Sequence, residues 1–212
     1  MDGEQRSLDA RLNELLAASG LPELDSETAH RFEAYLALLM RWNARLNLTG
    51  IRGEEGILTR HFVESIACAW AIPAGVRTLL DFGSGAGFPG VPIALCRPEI
   101  SVTLAESQAK KAAFLQEALR TLDLRTARVY AGRAEALEGT FDCVAMRAVD
   151  RMEVAVGAAL RLVSRGGWLV VMTTNVELQG LQAAAGEHIQ WVRTVGLPLS
   201  ADRIVAVGTR TL

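Results

Sequence analysis

Apolar residues recur at three- and four-residue intervals over 7–20, where Leu8, Leu12, Leu15 and Leu16 fall, and over 26–42, where Phe32, Leu36 and Leu39 fall. That spacing predicts two amphipathic helices. Asp25 or Ser26 would cap the second, with Glu27 and Glu33 near its positive end. A third helix is expected over 54–70, and no strand before about residue 76. There the rhythm changes. Val76–Phe82 is a short apolar run that enters a glycine-rich turn. A helix is expected at 89–96, a strand at 101–106 and a helix at 108–122, then strands at 127–131 and 141–147. A helix at 150–163, a strand at 168–173 and a helix at 176–186 precede two last strands, 189–195 and 203–208.

Strands that alternate with helices and are apolar along most of their length predict an α/β fold, a parallel sheet covered on both faces. The last two strands, joined by Gly196–Ser200, are expected either to extend that order or to pair as a hairpin and give a mixed edge. The helical stretch 1–70 is expected to be an extension packed on a sheet domain of 71–212, because its apolar stripe is too large to leave in water. No internal repeat or low-complexity segment interrupts the chain.

Composition narrows the class. Half of the 212 residues are hydrophobic, which excludes a disordered chain. The longest apolar runs, such as Trp168–Met172, are too short to span a bilayer. Residues 1–20 lack a basic head followed by an apolar block, so no secretory leader and no membrane partner are expected. Cys68, Cys96 and Cys143 have no paired spacing and read as buried thiols of a cytoplasmic protein. Three histidines, His30, His61 and His188, none beside a cysteine pair, leave no expected metal site. The net charge of −2 argues against indiscriminate nucleic-acid binding. It leaves room for a local basic face, for which Arg41, Arg45, Arg52 and Arg60 are candidates, offset by Glu54, Glu55 and Glu64. Scattered solvated charge accounts for the same residues equally well.

The stretch LLDFGSGAGFPG, residues 79–90, places Gly83, Gly85, Gly87 and Gly90 directly after a strand. Glycines at that density give up folding entropy, and the usual return is close approach of the backbone to a ligand. A strand, a glycine turn and a helix bind nucleotides at the carboxyl end of a parallel sheet. Glu106 follows Gly83 by 23 residues and ends the next strand, where a carboxylate can accept both ribose hydroxyls. A dinucleotide would need a third glycine where this chain has Phe88, and Asp81 would repel a pyrophosphate. S-adenosylmethionine has a ribose, an adenine and a sulfonium but no phosphate, and suits the loop better. Arg133 and Glu135 after the third strand would flank the adenine edge, with a solvated ion pair as the plainer alternative. Arg147, between Met146 and Ala148, is costly to bury alone and is expected to point into the cleft beside an acid.

At this point the residues resemble a known family. RWNARLNLTG (41–50), RHFVESI (60–66), DFGSGAGFPGVP (81–92), LAESQAKKAAFL (104–115) and MRAV (146–149) together resemble the bacterial small-subunit ribosomal RNA methyltransferase G family, also called glucose-inhibited division protein B. The resemblance implies a class I S-adenosylmethionine-dependent methyltransferase: a Rossmann-like, mostly parallel seven-stranded sheet with an N-terminal helical extension. It implies methyl transfer to N7 of a guanine in the decoding region of 16S rRNA; free rRNA or the small ribosomal subunit is the expected partner, and a monomer is expected. It places Gly83, Gly85 and Phe88 in the cofactor loop, Glu106 at the ribose, Ala134 and Glu135 at the adenine, and Arg147 in both the cofactor site and the active site.

N7 of guanine offers a lone pair and carries no proton, so its attack on a methyl needs position and electrostatics, not a general base. Arg41, Asn43, Arg45, Asn47, Arg60, His61 and Arg203 are candidate RNA contacts, with Trp42 and Thr49 beside them. Capping and bridging of the extension is the alternative for Asn43, Asn47 and His61. The chain departs from the family pattern at Thr173-Thr174, usually Lys-Gly, at Arg203-Ile204, usually Arg-His, and at Thr209, often lysine. Those departures keep a second reading open, a class I methyltransferase acting on a small molecule or another RNA. A cofactor-sensing protein without activity is a third, against which Gly83, Gly85, Glu106 and Arg147 count together.

Overall fold

The structure, a computed structural model, describes residues 7–211. The expectation of no leader rests partly on residues 1–6, which lie outside the described residues. Helix α1 (Leu8–Ala18) starts at Ser7, whose side chain accepts from the Ala10 amide. Helix α2 (Ser26–Leu46) starts at Asp25, which accepts from the Thr28 amide at 2.7 Å, and ends at Asn47 in the left-handed conformation. The expected third helix is broken into three pieces. A single turn, α3 (Glu54–Ile57), runs into a π-helical stretch, Leu58–Val63, and then α4 (Glu64–Ala71). A π stretch follows from no apolar period, and such insertions recur at functional sites.

The sheet elements follow as β1 (Thr78–Phe82), α5 (Gly90–Cys96), β2 (Ser101–Ala105), α6 (Ala109–Thr121), β3 (Ala127–Tyr130) and β4 (Phe141–Arg147). Then come α7 (Met152–Leu160), β5 (Val163–Thr174), α8 (Asn175–Ala185), β6 (Ile189–Gly196) and β7 (Arg203–Arg210). The spatial order is β3-β2-β1-β4-β5-β7-β6. The first five strands run parallel, and β7 is antiparallel to both β5 and β6. The last two strands are therefore the hairpin, inserted so that β7 and not β6 meets β5.

Strand periodicity divides the interior in two. Leu79, Cys143, Ala145, Val170, Met172, Val205 and Val207 face one core, which they share with α1, α2, α4, α5 and α6. Leu80, Phe82, Val144, Met146, Leu169 and Val171 face the other, under α7 and α8. Leu12, Leu16, Phe32, Tyr35 and Leu39 of the first two helices are completely shielded from solvent. Cys68 and Cys143 are buried and Cys96 half-buried. Burial pushes the Cys68 and Cys96 thiols up to about 12, which leaves them unreactive. No helix among the described residues is long and apolar enough to cross a membrane.

Candidate functional site

The carboxyl ends of β1, β2 and β4 surround a cavity of about 730 Å³, lined among others by Gly83, Gly85, Phe88, Glu106, Ala134, Glu135 and Arg147. Volumes of this order suit a cofactor-sized ligand. The loop after β1 is folded by its own backbone: the Gly87 and Phe88 amides donate to the Ser84 carbonyl, at 2.7 and 3.2 Å. Ser84 in turn donates its amide to Ala105 of β2 at 2.9 Å.

The four glycines divide their work. Gly83 and Gly85 line the cavity, and a Cβ on Gly85 would lie 3.9 Å from the Gly83 carbonyl oxygen, an ordinary contact. Gly87 and Gly90 face inward instead. A Cβ on Gly87 would lie 2.6 Å from the Tyr35 hydroxyl, and one on Gly90 would lie 2.3 Å from Leu104 and 2.4 Å from Asp81.

Asp81 departs from the expectation that its charge would face the ligand. As the next residue after Leu80 on an alternating strand, it faces the first core, and its Oδ2 accepts from the Gly90 amide at 3.1 Å. Its Oδ1 is buried without a partner, and it takes no part in lining the cavity. Burial pushes this carboxyl up to about 7. Asp81 is a latch between strand and helix.

Glu106 is 6 % exposed, and its two oxygens meet the glycine loop and the start of α6. Oε2 accepts from the Gly85 amide at 2.9 Å, and Oε1 from the Gln108 amide at 2.7 Å. A carboxylate so fixed keeps further lone pairs for the two hydroxyls of a ribose. Across the cavity, Ala134 and Glu135 open a short 3₁₀ turn, and Glu135 pairs with Arg133 at 2.9 Å. The ion pair and the cavity wall are thus the same residues.

Phe88 carries its ring into a cluster of side chains from the N-terminal helices. The His61 ring stacks on it at 4.4 Å with 10° between planes, and Tyr35 lies 5.5 Å away. The Tyr35 hydroxyl, fully buried, donates to the Ala86 carbonyl at 2.5 Å. His61 Nε2 meets Thr49 Oγ1 at 2.6 Å. Burial, followed by the Arg147 and Arg60 charges, pulls the His61 pKa down to about 3, so the ring is neutral at pH 7.

Arg147, ending β4, lines the cavity and has the acid partner its burial required. Its Nη2 lies 3.0 Å from Glu64 Oε2 and also donates to the Arg60 carbonyl, while Nη1 donates to Ser65 Oγ at 3.2 Å. All three acceptors belong to the helical stretch around the π turn. Burial pulls the Arg147 pKa down and Glu64 opposes it. Arg203, at the start of β7, reaches the same carboxylate.

The other RNA candidates lie further out. Arg41 pairs with Glu117, which also accepts from Trp42 Nε1 at 3.1 Å. Asn43 Oδ1 accepts from the Thr49 amide at 2.9 Å, Asn47 ends α2, and Arg45 is exposed. Capping and bridging thus describe Asn43, Asn47 and His61 in this structure. Thr174 forms a capping box with Glu177 that starts α8, and Thr173 Oγ1 donates to the same carboxylate at 2.9 Å. Sequence reasoning missed Tyr35, Glu64 as the partner of Arg147, and Lys111 as a cavity-lining residue.

A glycine-cradled cavity at the carboxyl ends of parallel strands, with an acid after the second strand and a β7 inserted antiparallel, defines the class I S-adenosylmethionine-dependent methyltransferase fold. An O-methyltransferase from Bacillus cereus, solved in complex with SAH, shares it with a TM-score of 0.61 at 14% identity, over 94% of this chain and 97% of that one. Residues 28–193 match the family described as rRNA small subunit methyltransferase G. The ribosomal RNA small subunit methyltransferase G of Stenotrophomonas maltophilia (strain K279a) is 42% identical over 201 residues, 93% of this chain and 92% of that protein. That of Xanthomonas oryzae pv. oryzae (strain KACC10331 / KXO85) is 44% identical over 151 residues, 70% of each. The chain belongs to the rRNA small subunit methyltransferase G family.

Proposed function

We propose that the chain transfers a methyl group from S-adenosylmethionine to N7 of one guanine in the decoding region of 16S rRNA. Family membership supports the rRNA substrate, and the state of the acid and base groups around the cavity supports the acceptor atom. Of the acid and base groups at the cavity, Glu106 receives backbone amides on both oxygens, Glu135 is held by Arg133, and His61 is neutral with one nitrogen on Thr49; Asp150, which is exposed, and Lys111 line it as well. A base with a free lone pair and no proton to lose asks nothing of these groups as general bases.

Bound S-adenosylmethionine would supply the electrophilic methyl group. In this reading Glu106 holds the ribose hydroxyls, Ala134 and Glu135 border the adenine, and Gly83 and Gly85 let the backbone approach. Phe88 walls the cavity on the side of the N-terminal helices. Arg147 fixes the reacting groups in line and stabilises charge as it moves from sulfur to the base. Residues 1–70 act as a helical extension on a methyltransferase domain of 71–212, and the chain works as a monomer in the cytoplasm. Arg41, Asn43, Arg45, Asn47, Arg60, His61 and Arg203 lie on the segments that would meet the RNA or small subunit. Mass mapping of 16S rRNA from a strain lacking the gene, with and without a plasmid copy, tests the reading. The decoding-region guanine is expected to lose its methyl group on deletion and regain it with the copy; a guanine that stays methylated overturns the assignment.

A further inference from the structure

Glu64 opens α4, is 1 % exposed, and does not line the cavity. Three guanidinium groups nevertheless converge on it. Oε2 takes Arg147 Nη2 at 3.0 Å; Oε1 takes Arg203 Nε at 2.7 Å and lies 3.5 Å from Arg60 Nε. One carboxylate balances one guanidinium, so three around it leave two formal positive charges. A buried acid placed only for stability needs a single partner, and each further cation adds repulsion and desolvation. That cost is recovered when an anion arrives.

The distribution of donors locates the anion. Both terminal nitrogens of Arg147 are engaged by Ser65, the Arg60 carbonyl and Glu64. The terminal nitrogens of Arg60 have no protein partner among the described residues, and its side chain is 46% exposed. That of Arg203 is 22% exposed; its Nε and Nη2 both meet Glu64 Oε1, which leaves Nη1. The free donors therefore sit on Arg60 and on Nη1 of Arg203, at the solvent side of the sheet end that carries the cavity. Neither residue lines the cavity.

We propose that Arg60 and Arg203, held in place by Glu64, form a phosphodiester site that seats the RNA strand beside the methyl-transfer cavity, with Glu64 as its positioning residue. The proposal rests on the rRNA reading above. The amino-acid carboxylate of the cofactor has the same anionic chemistry. The phosphodiester is favoured because Arg147, and not this pair, faces the cavity.

The test uses the full chain, a labelled single-stranded 16S rRNA fragment containing the target guanine, and S-adenosylhomocysteine as a separate probe. Each phosphate neutralised on a single strand contributes about 0.7 to the slope of log affinity against log salt. Arg203→Met is expected to lower that slope by about 0.7 and to leave S-adenosylhomocysteine affinity within about twofold. Glu64→Gln, which also loosens Arg147, is expected to lower kcat, to raise KM for rRNA about tenfold and to flatten the salt slope as Arg203→Met does, the last being a readout that mere loss of stability does not move. Should Glu64→Gln fail to fold, the Arg203→Met slope decides alone. An Arg203→Met chain with the full wild-type slope overturns the site, and weakened S-adenosylhomocysteine binding in its place assigns the anion to the cofactor. A wild-type chain that binds the fragment with this slope but methylates no 16S rRNA overturns the functional reading and leaves the phosphodiester site standing.

Discussion

Replacing Asp81 with asparagine is expected to make the protein progressively more stable, relative to wild type, as the pH rises from 4 to 8. The carboxyl is fully buried, receives one amide and leaves one oxygen without a partner. Its folded-state pKa of about 7 lies above the ordinary 3.8, so the folded chain keeps a proton that the unfolded chain releases. Between those values wild-type stability from this group falls with rising pH, because the unfolded state binds fewer protons. About three pH units at about 1.4 kcal/mol each give a full effect of about 4 kcal/mol. Asparagine keeps the shape, and its oxygen can still accept from Gly90. The variant should match wild type near pH 4 and gain steadily until about pH 7. Urea unfolding of both proteins at half-unit pH steps, plotted as a difference, reads the effect directly. His61→Phe is the control of opposite sign. A pKa of about 3 against the ordinary 6.5 means that the unfolded chain takes up a proton the folded chain refuses. His61 therefore contributes stability above pH 6.5 that is lost as pH falls toward 3, and the Phe variant gains on wild type in that direction. A flat difference curve for Asp81→Asn between pH 4 and 8 would refute the reasoning.

Tyr35→Phe removes the hydroxyl that donates to the Ala86 carbonyl, at a site with no exposed surface on the ring. A loss of about 1–3 kcal/mol is expected, seen by calorimetry as a fall in Tm of about 2–4 °C for each kcal/mol. Glu106→Ala strips the Gly85 and Gln108 amides of their acceptor and empties the ribose position. Titration calorimetry should find S-adenosylhomocysteine binding weakened at least about tenfold, given about 1.5–3 kcal/mol for each bond to a charged group; unchanged affinity would remove Glu106 from the cofactor site.

The alternation of strands and helices was legible because β1, β2, β4 and the second half of β5 are buried on both faces and read as apolar runs. The final hairpin was half legible: Gly196–Ser200 marks a turn, but nothing local says that β7 rather than β6 meets β5. The glycine loop announced a ligand, yet glycine content alone does not separate Gly83 and Gly85, which open on the cavity, from Gly87 and Gly90, which make room for Tyr35 and Leu104. Asp81 was misread for a related reason. The loop glycines begin two residues after it, whereas strand alternation turns its side chain to the helix face. The partner of Arg147 could be anticipated as an acid, because burial demands one, but not identified. Glu64 lies 83 residues from Arg147 and 139 from Arg203, and only the sheet order brings the three together.

The N-terminal helices are part of the site's architecture as much as of its covering. The Tyr35 hydroxyl fixes the Ala86 carbonyl in the middle of the glycine loop, and the His61 ring lies flat on Phe88 where that loop ends. Glu64, Ser65 and the Arg60 carbonyl hold Arg147 at the end of β4. The π turn between Leu58 and Val63 supplies His61 and the Arg60 carbonyl from one widened stretch of helix. A regular helix would advance 100° per residue through that stretch and rotate one set of these groups away from the other. The sheet alone therefore offers a loop and an arginine in approximate position, and the helical stretch 26–71 fixes both. That division explains why the motifs ahead of the sheet, WNARLNLT and RHFVES, are as informative about this site as the glycines themselves.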